Sequence, residues 1–483
     1  MRIGPGEIVE TSFWGLYCLV FAYFLAGGGL VIAGGLLGAL FLVVGILYAE
    51  KAMVMGWLLG IPSAFVLIDK LIRGSGIPIV TADRALLGFL LLSLLLRLLL
   101  GGARMPRLNA LEKSMIALLA IVLLSFLSTV PRKSGPDLYQ GVVHMIEGYL
   151  TPFAGYLLAR AQTWSERDLR RLLYYLAALA VYLTVAGALQ YFLGVYFFSP
   201  TYLGVTDKTD RAISGFGSPV EFGHVMACLT LLSLFLFTLT KDAGLRVLIL
   251  FTAITAALGV ALSLTRACWL GAAVALAYVF WKDPRVRRVL VGGALIGATV
   301  LAIALPLFMR SEIFGQRLTE LTPIYNRLAL WSTAANMIAH NFVFGVGFGY
   351  HTFNDEKRDY LVSIGPSALG SYALTVGVPH NEFLHVFAMM GIVGFGAYIL
   401  VYLHAFRITR RSQRDQGAGD GIRARLANYV QAILLIFLVG GMVSEMWTYR
   451  YMLTLLFFMV GILASGRAPS ATPNATITNS DKT

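Results

Sequence analysis

The chain has 483 residues, of which 58% are hydrophobic and only 13% are charged. Soluble domains carry about 25% charged residues, so this composition excludes an ordinary soluble protein and indicates a membrane protein with many spans. The formal net charge of +13 would favour a nucleic-acid partner in a soluble protein. Here the basic residues cluster in short segments between apolar runs, as the positive-inside rule requires, and we expect no nucleic-acid partner.

Apolar runs of spanning length follow one another along the chain and predict about fourteen transmembrane helices. The runs lie near residues 12–28, 29–48, 52–71, 84–100, 113–130, 141–160, 169–194, 219–240, 245–264, 267–282, 287–308, 380–406, 425–446 and 449–466. A Gly-rich stretch from Gly27 to Gly35 makes the first hairpin either two spans or one span with a re-entrant segment. The predicted fold class is an all-α polytopic membrane protein with about 12–14 transmembrane helices and one large extracytoplasmic loop carrying short helices.

The predicted domains follow from the longest segment between two apolar runs. Within that segment, Tyr325 to Ile338 has apolar residues at helical spacing and is predicted to lie along the membrane surface as a helix. The predicted regions are the N-terminal membrane helices 1–308, the extracytoplasmic loop or lid 309–379, the C-terminal membrane helices 380–466 and a disordered cytoplasmic tail 467–483.

The distribution of Lys and Arg predicts how the spans are oriented. Basic residues concentrate in alternate segments between spans, such as 282–288 and 407–425, and these segments are expected on the cytoplasmic side together with the N-terminus. The outer ends of the spans then include Arg211, Arg266 and His380. These three residues are expected at one face of the membrane, although they belong to spans far apart in the chain.

Arg211 and Arg266 are candidate anion receptors. Arg266 stands in an almost loopless connection between two apolar runs, where a permanent charge needs an anion or water beside it. A guanidinium group offers a rigid fork of donors that matches phosphate oxygens, so two of them suit a diphosphate. The alternative interpretation is that Arg266 reaches into the lipid headgroups and that Arg211 is a solvated loop charge.

His380 is the candidate base. Pro379 predicts the start of a single helix of about 24 residues that ends near Tyr402, so His380 and Asn381 are expected at its outer, N-terminal mouth. The positive end of the helix dipole disfavours an imidazolium and favours an anion alongside, which suits a neutral imidazole acting as a base. In the simpler interpretation, His380 is an interfacial side chain and Asn381 is an ordinary N-cap.

Other polar residues near these spans have structural interpretations. Glu382 is predicted to cap the same helix end, because a carboxylate there favours the helix dipole. Glu147, inside an apolar run, is predicted to be buried and paired, with its partner unidentified. His385 follows His380 by five residues, which is not the spacing that stacks two histidines on one helix face, and we predict no metal site there.

A base and two anion receptors at one membrane face are the minimum for glycosyl transfer from a polyprenyl-diphosphate donor without a metal. The sequence from His380 to His385, followed by Gly391-Ile392-Val393-Gly394, also resembles the His-Asn-x-x-Leu and Gly-Ile-x-Gly signature of the O-antigen ligase and O-antigen polymerase superfamily of bacterial envelope enzymes. Further stretches similar to family motifs are Ser263-Leu264-Thr265-Arg266, Arg211 with Gly215 and Pro219, and Arg327 to Trp331 leading to Phe344 to Gly349. Val220 and Glu221 depart from the family, where many members have Asn after the proline.

The resemblance implies transfer of a glycan from an undecaprenyl-diphosphate carrier to an acceptor hydroxyl by a metal-independent, inverting glycosyltransferase without a cofactor. It implies His380 as the base or acceptor-orienting group, Arg211 and Arg266 as diphosphate ligands, and Asn381 and Arg327 as supporting residues. The implied partners are the polyprenyl-diphosphate-linked glycan donor, membrane lipid and an acceptor that is a glycan, lipid A core or protein. The implied location is the bacterial inner (cytoplasmic) membrane, with several spans and the active site facing the periplasm or cell exterior.

Two other functions are weighed against this one. A lipid-linked oligosaccharide flippase or transporter predicts broken helices at the membrane midplane and ionisable groups at mid-depth. A metal-dependent glycosyltransferase of the other polyprenyl-using class predicts an acidic pair in the first outer loop, where this sequence is rich in glycine. Acceptor identity is open, so ligase, polymerase and protein oligosaccharyltransferase are alternatives within the favoured class.

Overall fold

The computed structural model describes residues 50–66, 81–100, 107–195, 211–292, 322–349, 351–362, 377–414 and 421–465. All regular secondary structure within these ranges is helical. Six helices there are long and apolar enough to cross a membrane: Ala110–Arg132, Glu166–Leu193, Pro219–Leu239, Ala243–Leu262, Glu382–Arg414 and Gly421–Gly441. The predicted all-α polytopic membrane fold is confirmed.

We number the α-helices in chain order. They are α1 Ala82–Leu99, α2 Ala110–Thr129, α3 Gly135–Met145, α4 Thr151–Ala161, α5 Glu166–Leu193, α6 Pro219–Leu239, α7 Ala243–Leu262, α8 Arg266–Lys282, α9 Thr322–His340, α10 Thr352–Glu356, α11 Glu382–Arg414, α12 Gly421–Gly441 and α13 Arg450–Ala464. A π turn joins α3 to α4, and short 3₁₀ helices follow α2 and α10 and precede α13. Helical residues 50–60 precede α1, and a further helix begins at residue 284.

Part of the predicted span pattern lies outside the described residues. The runs near 12–28 and 29–48 fall there, as do most of the run near 287–308 and the predicted tail 467–483. The run near 141–160 is described, but the π turn Ile146–Leu150 interrupts it. The number of spans and the division into four regions stay predictions.

The centre of the bundle is α6, whose residues from Phe222 to Leu239 are all buried. It packs against α5, α7, α8, α12 and α13. This helix is hydrophobic all round, which is the pattern of a helix with no face left for solvent or lipid. Pro219 opens it, and the Ser218 hydroxyl caps it by accepting a hydrogen bond from the Val220 N–H at 3.1 Å.

Helices α4 and α13 approach each other closely because small residues lie at their contact. A Cβ atom placed on Gly461 would lie 2.5 Å from the carbonyl oxygen of Tyr156, and one placed on Gly155 would lie 3.2 Å from Thr454. In lipid, where apolar burial adds little drive for association, close packing of this kind stabilises helix pairs. The pair fixes the start of α13, and with it the connecting segment 442–449.

Helix α11 is interrupted at Gly391, whose φ of 62° and ψ of −167° are not helical. The prediction of one continuous helix from Pro379 to Tyr402 is wrong at this point. A Cβ atom on Gly391 would lie 2.2 Å from the carbonyl oxygen of Val343, so only glycine fits the close approach of the two backbones.

The segment 342–347 pairs with the backbone groups that the break in α11 leaves without helical partners. The Val346 N–H donates to the Ala388 carbonyl at 2.9 Å, and the Ile392 N–H donates to the Phe342 carbonyl at 2.8 Å. Unpaired backbone groups are costly in a membrane protein, so these hydrogen bonds lower the free-energy cost of the break. The segment 342–347 and α11 therefore form one hydrogen-bonded unit.

Candidate functional site

Three non-glycine residues in the described part of the chain have a positive φ angle. They are Ser214 at 53°, Leu264 at 45° and His380 at 49°. A left-handed backbone costs a non-glycine residue about 1–3 kcal/mol and persists only where surrounding contacts enforce it, which is common at functional sites. Each of the three lies in a segment that the sequence singles out, beside Arg211, beside Arg266 and at His380 itself.

Asn381, and not His380, caps helix α11. Its side-chain oxygen accepts a hydrogen bond from the Leu384 N–H at 3.1 Å, and its amide nitrogen donates to the Met442 carbonyl at 3.1 Å. The helix begins at Glu382, so the prediction that Pro379 opens it is wrong. His380 consequently lies just outside the helix, where its left-handed backbone redirects the side chain.

His380 forms a pair with Glu445. The Nδ1 atom of His380 lies 3.3 Å from Oε2 of Glu445, with the imidazole 37% exposed and the carboxylate 8% exposed. Burial raises the pKa of the Glu445 carboxyl, but the hydrogen bond and charge of His380 outweigh burial and hold that pKa below its ordinary value. An ionised Glu445 favours the tautomer with the proton on Nδ1, which leaves Nε2 of His380 as an acceptor.

Glu382 does not act as the capping residue that the sequence predicts. It is fully buried, and its two oxygens accept hydrogen bonds from the Tyr398 hydroxyl at 2.5 Å and from the Trp447 N–H at 3.0 Å. Glu382 therefore fixes the segment 442–449 to α11, next to the pair formed by His380 and Glu445.

The segment that carries Arg211 is held by α5 and α7. The N–H groups of Ile213 and Ser214 both donate to the side-chain oxygen of Gln190 at 2.9 Å, and the Ala212 N–H donates to the Leu262 carbonyl at 3.2 Å. The last bond ties this segment to the turn that contains Leu264 and Arg266.

Arg266 is the first residue of α8 and is exposed. It makes no hydrogen bond or ion pair with any part of the chain that the structure describes. Cys268, two residues later, lies within electrostatic range of Arg211 and contacts the Nδ1 atom of His224 at 3.3 Å. The structure therefore brings the two predicted anion receptors to the same end of the bundle.

A path of contacts leads from these arginines to His380. The ring of His224 stacks on Tyr449 with centroids 6.4 Å apart, and the Tyr449 hydroxyl hydrogen-bonds the Ser444 hydroxyl at 2.7 Å. Ser444 directly precedes Glu445, the partner of His380. Segments from three separate parts of the chain thus converge on the connection between α12 and α13.

Arg327 lies on α9, which packs against α11. The indole N–H of Trp331 donates to the Pro379 carbonyl at 3.0 Å, beside His380. Arg327 precedes Trp331 by four residues and so lies on the same face of α9. It is half-buried and makes no hydrogen bond or ion pair within the described ranges, so its guanidinium is available near the site.

Sequence reasoning missed Glu445, in the short connection before α13, and Arg450, the first residue of α13. Arg450 contacts Asp83 at 2.9 Å and Glu147 at 3.5 Å, and Arg84 also pairs with Glu147. The predicted pairing of Glu147 is therefore confirmed and its partners are identified, but the prediction that it is buried is wrong, because its side chain is 25% exposed. The signal was present, because a charge in a very short connection between two apolar runs needs a partner, as argued for Arg266.

The described residues were also searched for side chains that could bind a metal ion together. Among the residues that the structure describes, no group of three or more His, Cys, Asp or Glu is placed to hold a metal ion. His385 is fully buried between the rings of Phe353 and Trp447, with centroid distances of 5.6 and 5.7 Å. Its surroundings are aromatic, and metal independence stays a prediction.

The comparisons with known proteins concern the second half of the chain. Residues 251–399 match a family model described as O-Antigen ligase. The matched range contains Arg266, Arg327 and His380, whereas Arg211 precedes it and Glu445 follows it. Among the curated proteins compared with the chain, none is significantly similar to it in sequence.

Proposed function

We propose a specific glycan transfer for this chain, which belongs to the O-antigen ligase superfamily through its domain at residues 251–399. Membership supports glycan transfer of the ligase or polymerase type, and together with six apolar helices it indicates a multi-pass protein of the bacterial inner membrane. The proposed reaction moves a glycan from an undecaprenyl-diphosphate carrier to an acceptor hydroxyl at the outer face of that membrane.

The observation that carries this proposal is the convergence of three strained segments on one end of the bundle. Ser214, Leu264 and His380 have the left-handed backbone, and they lie beside or at the predicted chemical residues. Strain alone assigns no chemistry. Its coincidence with two arginines and a carboxylate-paired histidine fits a site for an anionic substrate and a proton transfer.

In the proposed mechanism, Nε2 of His380 accepts the proton of the acceptor hydroxyl while the Glu445 carboxylate holds Nδ1–H. The hydroxyl oxygen forms a bond to the anomeric carbon as the bond from that carbon to the diphosphate oxygen breaks. Negative charge collects on the leaving diphosphate, where Arg211 and Arg266 stabilise it. A single displacement of this kind inverts the configuration at the anomeric carbon.

The supporting residues act on geometry. Asn381 holds the start of α11 to the Met442 carbonyl, which fixes His380 relative to Glu445. Arg327 adds a further cation on the face of α9 from which Trp331 donates to the Pro379 carbonyl. Because three permanent guanidinium charges face the same region, the proposed reaction needs no metal ion to stabilise the leaving group.

A lipid-linked oligosaccharide flippase is the second candidate, and the break of α11 at Gly391 favours it. Transporters use such breaks to present backbone groups to a substrate. Here the groups of Val346, Ala388 and Ile392 are paired within the chain, and the neighbouring side chains of Val343 and Met389 are apolar. The break therefore has a structural role in joining the outer loop to α11.

The central test is His380→Ala in purified protein supplied with an undecaprenyl-diphosphate-linked glycan and an acceptor. We expect transfer to fall by about 10²–10⁴-fold, the usual contribution of a general base, with normal membrane insertion. The matched control is His340→Ala, because His340 is an exposed histidine on α9 whose ring contacts the Asn336 carbonyl and the ring of Tyr360. Full transfer by His380→Ala would remove the imidazole from the reaction.

Ligase and polymerase activities are distinguished by deleting the gene and analysing envelope glycans. Accumulation of single repeat units on the lipid carrier indicates a polymerase, and accumulation of unattached long chains indicates a ligase. Loss of carrier-linked glycan from the outer face, with accumulation inside, would support the flippase and contradict the proposed transfer.

A further inference from the structure

A cleft of 480 Å³ lies at the end of the bundle opposite to His380. Helix α6 begins beside the candidate site and ends at this cleft, so the two are about 30 Å apart along a helix of this length. The charged residues of its lining are Glu166, Arg170, Lys241, Arg246, Arg285 and Arg425. Clefts of this size accommodate small ligands, and five cationic side chains against one carboxylate favour an anion.

Three of the five cations are held in place by the C-terminal end of α6. Arg170 donates to the Leu239 carbonyl at 2.8 Å, Arg285 donates to the Thr238 carbonyl at 3.1 Å, and Arg425 donates to the Thr238 hydroxyl. Carbonyl groups at a helix end attract cations, which accounts for one donor of Arg170 and one of Arg285. A guanidinium group has five N–H donors, so each retains further donors in the lining of the cleft.

Lys241 and Arg246 have no such structural role. Both are exposed, and neither side chain makes a hydrogen bond or ion pair within the ranges that the structure describes. Arg246 stacks on Phe237 with its guanidinium carbon 4.6 Å from the ring centre. Asp242, between them, turns away to cap α7 through the Leu245 N–H. These two cations therefore add positive charge to the cleft that no carboxylate of the described chain neutralises.

Carboxylates contact two of the five cations and leave the other three without an acidic partner in the described chain. Arg425 lies 3.6 Å from Asp283, a carboxylate outside the lining. Glu166 is the one acidic side chain in the lining, and it already pairs with Arg170 at 2.7 Å on the same helix. Helices α5, α7 and α12 all begin beside the cleft, and their N-terminal ends add partial positive charges. Capping of α6 alone explains three arginines but not the whole arrangement.

We propose that this cleft binds a phosphate group at the membrane surface, either in the headgroup of an anionic phospholipid or in a small soluble molecule. Guanidinium forks match phosphate oxygens, and basic pockets between membrane helices bind anionic headgroups. The cleft lies at the end of the bundle that the Lys and Arg distribution predicts to be cytoplasmic. The site is separate from the proposed transfer reaction and does not depend on it.

The test compares wild type with two double variants that remove equal charge. Lys241→Gln/Arg246→Gln removes the two cations of the cleft that cap no helix. Lys282→Gln/Arg410→Gln is the matched control, because it also removes one lysine and one arginine. Lys282 and Arg410 lie over aromatic rings, as Arg246 does, but do not line the cleft. Thermal unfolding in neutral detergent is followed with short-chain phosphatidylglycerol, short-chain phosphatidylcholine, inorganic phosphate or chloride at equal ionic strength.

Phosphatidylglycerol should raise the unfolding temperature of wild type and of the control, with an apparent affinity at least about tenfold weaker in the cleft variant. Stabilisation by inorganic phosphate as well would identify the phosphate itself as the ligand, and stabilisation by phosphatidylglycerol alone would identify the lipid headgroup. Three results would overturn the proposal. They are an equal loss of phosphatidylglycerol affinity in the two double variants, a cleft variant that phosphatidylglycerol stabilises as strongly as wild type, or equal stabilisation of wild type by the two lipids.

Discussion

Two sets of charged side chains at the same end of the bundle differ in how their positive charges are neutralised. In the first set, Arg450 contacts Asp83 and Glu147, and Arg84 contacts the same Glu147. These residues join α1, the junction of α3 with α4, and α13. Cations and carboxylates are matched within the chain, so this set holds helices together.

In the second set, cations outnumber carboxylates. Arg266 and Arg327 make no ion pair in the described part of the chain, and the carboxylate that pairs with His380 is Glu445. A charge at a helix end therefore does not by itself mark an anion-binding site. An arginine already satisfied by carboxylates stabilises the fold, whereas an arginine without one is available to an anion from outside.

The largest expected effect is that of Arg450→Gln, which tests the structural role of the first set. Asp83 is 1% exposed, and loss of its partner leaves a buried charge uncompensated. We expect a loss of about 3–5 kcal/mol in the free energy of unfolding, measured as a lower thermal midpoint and a lower yield of folded protein. Arg450→Gln combined with Asp83→Asn should recover much of the stability, since it removes both charges. Normal stability of the single variant would refute the structural role of this set.

Arg266→Lys should reduce glycan transfer and leave the stability of the protein normal, in contrast to Arg450→Gln. A lysine keeps the charge but loses the two parallel donors that fit a diphosphate. We expect transfer to fall by about 10²-fold, the usual effect of losing a donor at a developing charge. Arg287→Lys, at an exposed arginine near the opposite end of the bundle, is the control and should be fully active. Equal activity of the two variants would show that charge alone matters at position 266.

Glu445→Gln should have a smaller effect on transfer than either loss of His380 or loss of an arginine fork. The amide oxygen can still accept the Nδ1 proton of His380, but the negative charge that stabilises a protonated imidazole is removed. We expect kcat to fall by about tenfold, with KM for the donor unchanged because Glu445 does not contact the diphosphate in the proposed mechanism. A change confined to KM would assign Glu445 to substrate binding.

The smallest expected effect concerns acid stability. The pKa of Glu445 is held below its ordinary value, so its interaction with His380 stabilises the fold above that ordinary value of 4.5. The stabilisation is lost as the pH falls through the lower pKa of the folded protein. Thermal unfolding between about pH 3 and pH 6 should therefore show a steeper acid decline in wild type than in Glu445→Gln. Parallel curves would mean that the pair contributes no pH-dependent stability.

Hydropathy was sufficient to predict the fold class, because a span needs a long apolar run whatever its neighbours are. The alternation of basic segments was sufficient to predict that Arg211, Arg266 and His380 share one end of the bundle. The break at Gly391 was not predictable in this way. Glycine is tolerated in membrane helices, and its conformation here depends on Val343, nearly fifty residues earlier in the chain.

The role of Glu382 was misjudged for a related reason. A carboxylate in a first helical turn normally favours the dipole at the surface, and nothing local distinguishes this one. Its burial results from Tyr398, 16 residues later in the chain, and from Trp447 on another segment. Glu445 and Arg450 escaped notice because their apolar flanks made the connection look like a simple turn.

The hydrogen-bonded exchange between the segment 342–347 and α11 has a consequence for biogenesis. The groups around Gly391 need their partners when α11 enters the bilayer during synthesis. In the orientation that the Lys and Arg distribution predicts, those partners lie on polypeptide that crosses to the outer side before α11 is made. Proper seating of this helix therefore depends on earlier translocation and docking of the outer loop. A lesion in that loop would then appear as failed assembly and proteolytic clearance, even where every residue of the reaction is intact.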